Sequence, residues 1–142
     1  MTYIPANFDD AKEPQPVGGG RYNLQITEAV EVRSGQNSKR PGSPQFRVSI
    51  GFPDEQNVPN MTQWISLPHE EDEAKSANFK LLLLKRFLVL FNIPVPRDGI
   101  DTDRLAMEMV GATANAEVNL SDPDDNGNVY NRLVVPRIRE ED

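Results

Sequence analysis

At 142 residues the chain is long enough for a single core and too short for two. Its hydrophobic share is 37%, low for a compact domain, and 12 prolines with 9 glycines point to abundant loop and edge. Cysteine is absent and histidine occurs once, which excludes a disulfide framework, a thiolate metal site and a cysteine nucleophile. The net charge of -7 argues against nucleic acid if taken as a total, but the distribution of charge matters more. Between Arg21 and Pro53 stand five basic residues (Arg21, Arg33, Lys39, Arg40, Arg47) against two acidic ones (Glu28, Glu31). Acids crowd instead at 70–73, 98–103, 122–125 and 140–142.

In chain order, residues 1–19 read as an extended arm, with three prolines, four charged side chains and Tyr3, Ile4 and Phe8 as docking points. Gly18-Gly19-Gly20 forms a hinge into the domain, which spans 20–138, and 139–142 is a short acidic tip. The start of the chain has neither a basic opening nor an apolar run, so no signal peptide is expected. From Arg21 the pattern has period two, with Tyr22, Leu24 and Ile26 on one face. A bulge is expected near Glu28-Ala29, after which Val30 and Val32 resume that inward face. Residues 34–44 are loop by composition and carry positive charge.

A second strand sets Phe46, Val48, Ile50 and Phe52 inward and Arg47, Ser49 and Gly51 outward. A third, Met61 to Leu67, sets Met61, Ile65 and Leu67 inward and Thr62, Trp64 and Ser66 outward. The period then becomes helical, with Phe79, Leu82, Leu83, Phe87, Leu90 and Phe91 as the apolar stripe and Asn92 and Pro94 as the stop. Burying that stripe contributes a gross stabilisation of roughly 9–18 kcal/mol, so the helix belongs to the core. The apolar run Leu81 to Ile93 is broken by Lys85 and Arg86 and is too short to span a bilayer. A helical turn at Asp103 to Met109 stops at Gly111, a fourth strand runs from Ala112 to Leu120, and Asn126-Gly127 marks a hairpin into a fifth strand, Val129 to Ile138.

The expected fold is mainly β with one helix: a five-stranded barrel of the oligonucleotide-binding (OB) type, with the helix between strands three and four. Another small barrel, or a sandwich with one helix, remains open. No residue set suits catalysis, a metal or a cofactor. Asp122 to Gly127 resembles the opening of a calcium loop, but Leu133 stands where the bidentate Glu is required. His69-Glu70 lacks the second histidine of a zinc helix, and Gly18-Gly19-Gly20 lacks the Lys and Ser/Thr of a phosphate loop.

The candidate site is therefore a binding surface. Arg33, Lys39, Arg40, Arg47 and Arg132 are candidates for phosphate contact; Trp64, with Tyr130 and Phe46, is the candidate for base stacking. The bland alternative makes Trp64 a core residue and the basic loop a solvated turn.

The run Gly20-Arg21-Tyr22-Asn23-Leu24-Gln25-Ile26-Thr27-Glu28-Ala29 carries a family resemblance. With it go the Ser34-Gly35 turn, the strand Gln45 to Phe52, and the Leu-rich helix closed by Asn92-Ile93-Pro94. Asp103-Arg104-Leu105, Gly111 and Asn131-Arg132-Leu133 complete a pattern that resembles small bacteriophage-encoded single-stranded DNA-binding proteins with OB barrels. The resemblance implies coating of exposed strands in phage replication or recombination, with little sequence preference, in the cytoplasm of the infected bacterial host. Its implied partners are single-stranded DNA and phage or host replication and recombination proteins, with no membrane, and the chain forming oligomers is compatible with it. Many such proteins end in a longer acidic tail closed by an aromatic or apolar residue that recruits partners; here the tip is only Glu140-Glu141-Asp142. The alternative is a non-enzymatic phage protein-binding module, an assembly factor or an inhibitor of a host enzyme, for which the acidic surface speaks.

Overall fold

Five antiparallel strands and two helices appear in the computed structural model, which describes residues 1–33, 35 and 42–138. The strands are β1 (Gly20–Arg33), β2 (Pro44–Gly51), β3 (Met61–Ser66), β4 (Thr113–Leu120) and β5 (Asn131–Leu133), and the helices are α1 (Ala74–Leu90) and α2 (Thr102–Met109). The sheet order is β3-β2-β1-β4-β5, and β3 and β5 approach each other, so the sheet curls into a nearly closed barrel. Two helices, not one, lie between β3 and β4. The fifth strand keeps only three ladder residues of the ten expected, although the Val134 N–H still donates to the Glu117 carbonyl.

Strand β1 organises the barrel. Its first half pairs with β4 and its second half with β2, and the register to β2 slips between Ile26 and Glu28. The slip is a bulge around Thr27, whose hydroxyl donates to the Ser49 carbonyl. Leu24 and Ile26 point inward before the bulge, and Ala29, opposite the buried Val48, points inward after it. The inward set thereby moves to odd positions, so Val30 and Val32 occupy the outer face, contrary to the alternation expected from sequence. Glu31 takes the core side, opposite Phe46, and the Thr102 hydroxyl donates to its Oε1 at 3.4 Å.

Inward residues of the strands meet α1 and α2 in one core. Phe46, Val48 and Ile50 of β2 and Met61, Ile65 and Leu67 around β3 are buried as the period-two pattern requires. The helical stripe is narrower than expected: every buried side chain of α1 lies from Leu84 onward, and Leu84, Phe87, Leu88 and the following Phe91 carry the packing. Phe79 and Leu83, assigned inward by periodicity, are exposed, because only the C-terminal half of the helix lies on the core. The Phe87 and Phe91 rings pack tilted by 43°, 5.0 Å between centroids.

The stop of α1 is a Schellman cap. Asn92 takes a left-handed φ of 56°, its N–H donates to the Val89 carbonyl, and the Ile93 N–H donates to the Leu88 carbonyl at 2.9 Å. Ile93 is buried beside it, and α2 follows with Asp101 as its N-cap, accepting from the Arg104 N–H. Past α2, Gly111 (φ 89°) donates to the Ile26 carbonyl and ties the helix end to β1.

The cap sets a test. Replacing Asn92 by Val forces a β-branched residue into the left-handed region and should cost about 1–2 kcal/mol in urea unfolding, whereas Asn92→Gly should be neutral or better. Equal losses in both variants would show that the Asn92 side chain, not the backbone conformation, secures the helix end.

Candidate nucleic-acid interface

The outer face of β1, β2 and β3 is defined by three cross-strand rows. Val30, Arg47 and Trp64 form one, Glu28, Ser49 and Thr62 the next, and Val32, Gln45 and Ser66 the third. Trp64 is 53% exposed, so it is an outer-face residue and not part of the core. Phe46, by contrast, is 0% exposed: it packs between β1 and β3 inside the barrel and offers no ring face to a ligand. Its parity on β2 dictates this, one residue out of phase with Arg47.

The bulge at Thr27 has a direct consequence here. By moving Val30 and Val32 outward it lays an apolar strip beside Arg47 and Trp64. The bulge is held by Asn60, whose Nδ2 lies 3.3 Å from Thr27 Oγ1 and 3.2 Å from Ser49 Oγ. Asn60 closes over Gly51, where an added Cβ would stand 3.1 Å from Asn60 Oδ1, so a side chain at 51 would push the clamp aside.

Of the cations expected to meet phosphate, Arg47 is on the face, with Nη2 at 3.4 Å from Glu28 Oε1. Arg33 ends β1, with its guanidinium 3.7 Å from Glu31. The Arg47–Glu28 pair is exposed on both sides, and pairs of this kind contribute about 0–1 kcal/mol, which leaves that guanidinium available to a better anion. In the Arg33–Glu31 pair the guanidinium is exposed and the carboxylate mostly buried. Lys39 and Arg40 lie outside the described residues. Arg132 stands on β5 opposite Asn119, exposed, with no carboxylate partner among the described residues.

Tyr130 and Arg132 share a cleft of about 410 Å3 with Pro16, Asn60 and Thr62, across the seam between β3 and β5. Trp64 is two residues beyond Thr62 on the same face of β3 and borders a second hollow, of about 170 Å3, with Ser66, Leu83, Arg86 and Val135. Arg86 was not singled out from sequence; its Nε is buried there without a hydrogen-bond partner. Its place on the rim of β3 follows from the packing angle of α1, which periodicity alone does not encode.

The connection from β4 to β5 is fixed by Asp124. Its Oδ1 accepts from the Asn126 and Asn128 N–H groups, both at 2.9 Å, and the Tyr130 hydroxyl donates to Oδ2 at 3.3 Å. Gly127 supplies the left-handed φ of 79° that the turn needs. Ser121 and Tyr130 close the base, the Ser121 N–H donating to the Tyr130 carbonyl at 2.7 Å. The residues that resemble a calcium loop are thus engaged in a turn. Among the described residues no group of three His, Asp or Glu converges on a metal-sized site. The one histidine is also engaged locally, His69 Nδ1 accepting from the Glu71 N–H.

Neither a protein-family model nor a curated protein matches the sequence. Among the described residues no helix is long and apolar enough to cross a membrane.

Hydrogen bonding from the Asn128 backbone above all, then from Asn126 and the Tyr130 hydroxyl, holds the Asp124 carboxyl below its ordinary value, against a smaller opposing effect of desolvation. A carboxylate depressed in the folded state stabilises it at pH values above the ordinary carboxylate range, and that contribution fades as pH falls through the depressed value. The Asn126 and Asn128 amide resonances should therefore titrate with a midpoint below 3.8. A midpoint at or above it would mean that the turn does not depend on the ionised Asp124.

Proposed function

We propose that this chain is an OB-type barrel that binds single-stranded DNA with little sequence preference, coating exposed strands in phage replication or recombination. The curled sheet supports the barrel class: closing β3 onto β5 gives the cyclic order β1-β2-β3-β5-β4 of that fold, with the helices between β3 and β4. Proteins of this class carry oligonucleotides across the β2–β3 face, flanked by the loops that join β1 to β2 and β4 to β5.

One observation carries the ligand assignment. Trp64, half exposed on the outer face of β3, stands directly opposite Arg47, which places a stacking surface and a guanidinium side by side. A base stacked on an aromatic side chain contributes about 1–3 kcal/mol whatever its identity, which is the energetic basis of sequence tolerance. Val30 and Val32 widen the apolar part of the face, and Tyr130 and Arg132 repeat the aromatic–guanidinium pairing across the seam. Of the acidic runs, those at 70–73 and 98–103 lie on the connections around α1 and α2, whereas Asp122, Asp124 and Asp125 stand in the β4–β5 connection and lower the positive potential beside Tyr130.

Titrating Trp64 fluorescence with oligo-dT tests this. Quenching is expected, with log affinity falling against log salt at a slope of about -2 to -3 if three or four cations engage phosphate. Trp64→Ala, followed by anisotropy of labelled DNA, should cost about 1–3 kcal/mol with the slope unchanged, and Arg132→Ala should reduce the slope by about 0.7. Absence of quenching and of salt-sensitive binding at low ionic strength would dismiss the proposal; equal affinity for duplex DNA or RNA would redirect it.

A second reading, a non-enzymatic phage protein-binding module acting on assembly or on a host enzyme, draws on the exposed Phe79 and Leu83 of α1. Capture of one host protein with no nucleic acid retained, and loss of that capture in Phe79→Ser, would favour it.

A further inference from the structure

The arm of residues 1–19 has an ordered root and an unburied tip. At the root, Asn57, in a left-handed turn conformation (φ 58°), directs its Nδ2 toward the Lys12 and Glu13 carbonyls, while its own carbonyl accepts from the Gln15 N–H. Asn131 then exchanges two hydrogen bonds with the Val17 backbone, at 3.0 and 2.8 Å. Beyond this root the chain forms one 3-10 turn, Phe8–Asp10, capped by the Asn7 side chain accepting from the Asp9 N–H. The turn projects Phe8, 86% exposed, beside the carboxylates of Asp9 and Asp10. A large aromatic held by a self-supporting turn, and kept off its own barrel by a pinned root, is preorganised for a surface elsewhere.

A surface of matching character lies beside the middle of α1. Leu81, Leu84, Val95 and Ile100 line an apolar hollow of about 260 Å3, with Lys85 and Arg97 on its rim. Neither cation has a carboxylate partner among the described residues, and Asp98 and Asp101 border the adjoining hollow beyond Arg97. Apolar hollow meets exposed ring, and two cations meet two carboxylates.

We infer that the Phe8 turn of one chain docks in the Lys85–Arg97 hollow of a second copy, with Phe8 in the hollow and Asp9 and Asp10 against the rim. Arm and hollow are different surfaces, so the contact is heterologous, and a pair joined by one contact keeps one free arm and one free hollow. Association is therefore head-to-tail, and it grows until the rotation between neighbours closes a ring. The inference does not rest on nucleic-acid binding and is tested without it.

Sedimentation velocity of the full chain over a concentration series, at low ionic strength, reads the contact. Wild type should associate with rising concentration, and Phe8→Asp should weaken association about tenfold or more. Lys85→Glu with Arg97→Glu should do the same, and adding Asp9→Lys and Asp10→Lys to that variant should restore association by exchanging the charges. An equimolar mixture of the Phe8→Asp chain and the Lys85→Glu/Arg97→Glu chain retains one good arm and one good hollow, so it should form pairs that do not grow. Circular dichroism confirms that each variant folds. A wild type that stays monomeric, variants that associate as wild type does, or a mixture that fails to pair would overturn the inference. A Phe8→Asp change that alters only the monomer's compactness would do so too, by placing the turn in the chain's own hollow.

Discussion

The extra residue in β1 is the constraint on which the rest of the barrel depends. One strand must serve β4 along its first half and β2 along its second, and a regular strand cannot bend enough to do both. The bulge around Thr27 supplies the bend and inverts the facing of every later residue in the strand. It is fixed from outside, by Asn60 spanning Thr27 and Ser49 above a glycine that leaves room for it. Ala29 takes the inward place opposite Val48, and the outer face receives Val30 and Val32. Closure of the barrel and composition of its outer face are thus settled at a single position.

Where period and turn chemistry act locally, the sequence was legible. The alternation in β2 and β3 identified Phe46, Val48, Ile50, Met61 and Ile65 as core and Arg47, Thr62 and Trp64 as surface, because residue parity on an unbroken strand has one solution. Asn92-Ile93-Pro94 and Asn126-Gly127 marked their stops because few residues tolerate a left-handed backbone. What was not legible depends on distant partners. The phase of β1 after its bulge is set by pairing with β2, and the length of β1's inward run gives no hint of it. The burial of α1 is set by how far the helix overhangs the barrel, so Phe79 and Leu83 read as core from periodicity and stand in solvent. A stacking role for Phe46 conflicts with the parity of its own strand, which buries the ring.

Electrostatics on the outer face follow from the same arrangement. Arg47 is held near Glu28 by a contact that water can replace at little cost, whereas Arg33 and Glu31 share the inward parity at the end of β1. The outer pair keeps its guanidinium oriented without committing it, and Glu28 limits the positive potential of the face. A chain of net charge -7 with this layout would bind polyanions by apposition of a few cations and apolar surface, not by bulk attraction.

Pro16 forms a wall of the cleft that contains Thr62, Tyr130 and Arg132, and its neighbour Val17 is bonded to Asn131 on β5. The segment that carries the arm outward is thus also part of the lining. Whatever occupies that cleft touches the arm's base, and whatever holds the arm acts on the cleft's edge. Any free energy by which occupancy shifts the arm must return, in equal amount, as a change in occupancy when the arm is restrained. Through Pro16 and Val17 the base of the arm and the edge of the cleft are one stretch of chain.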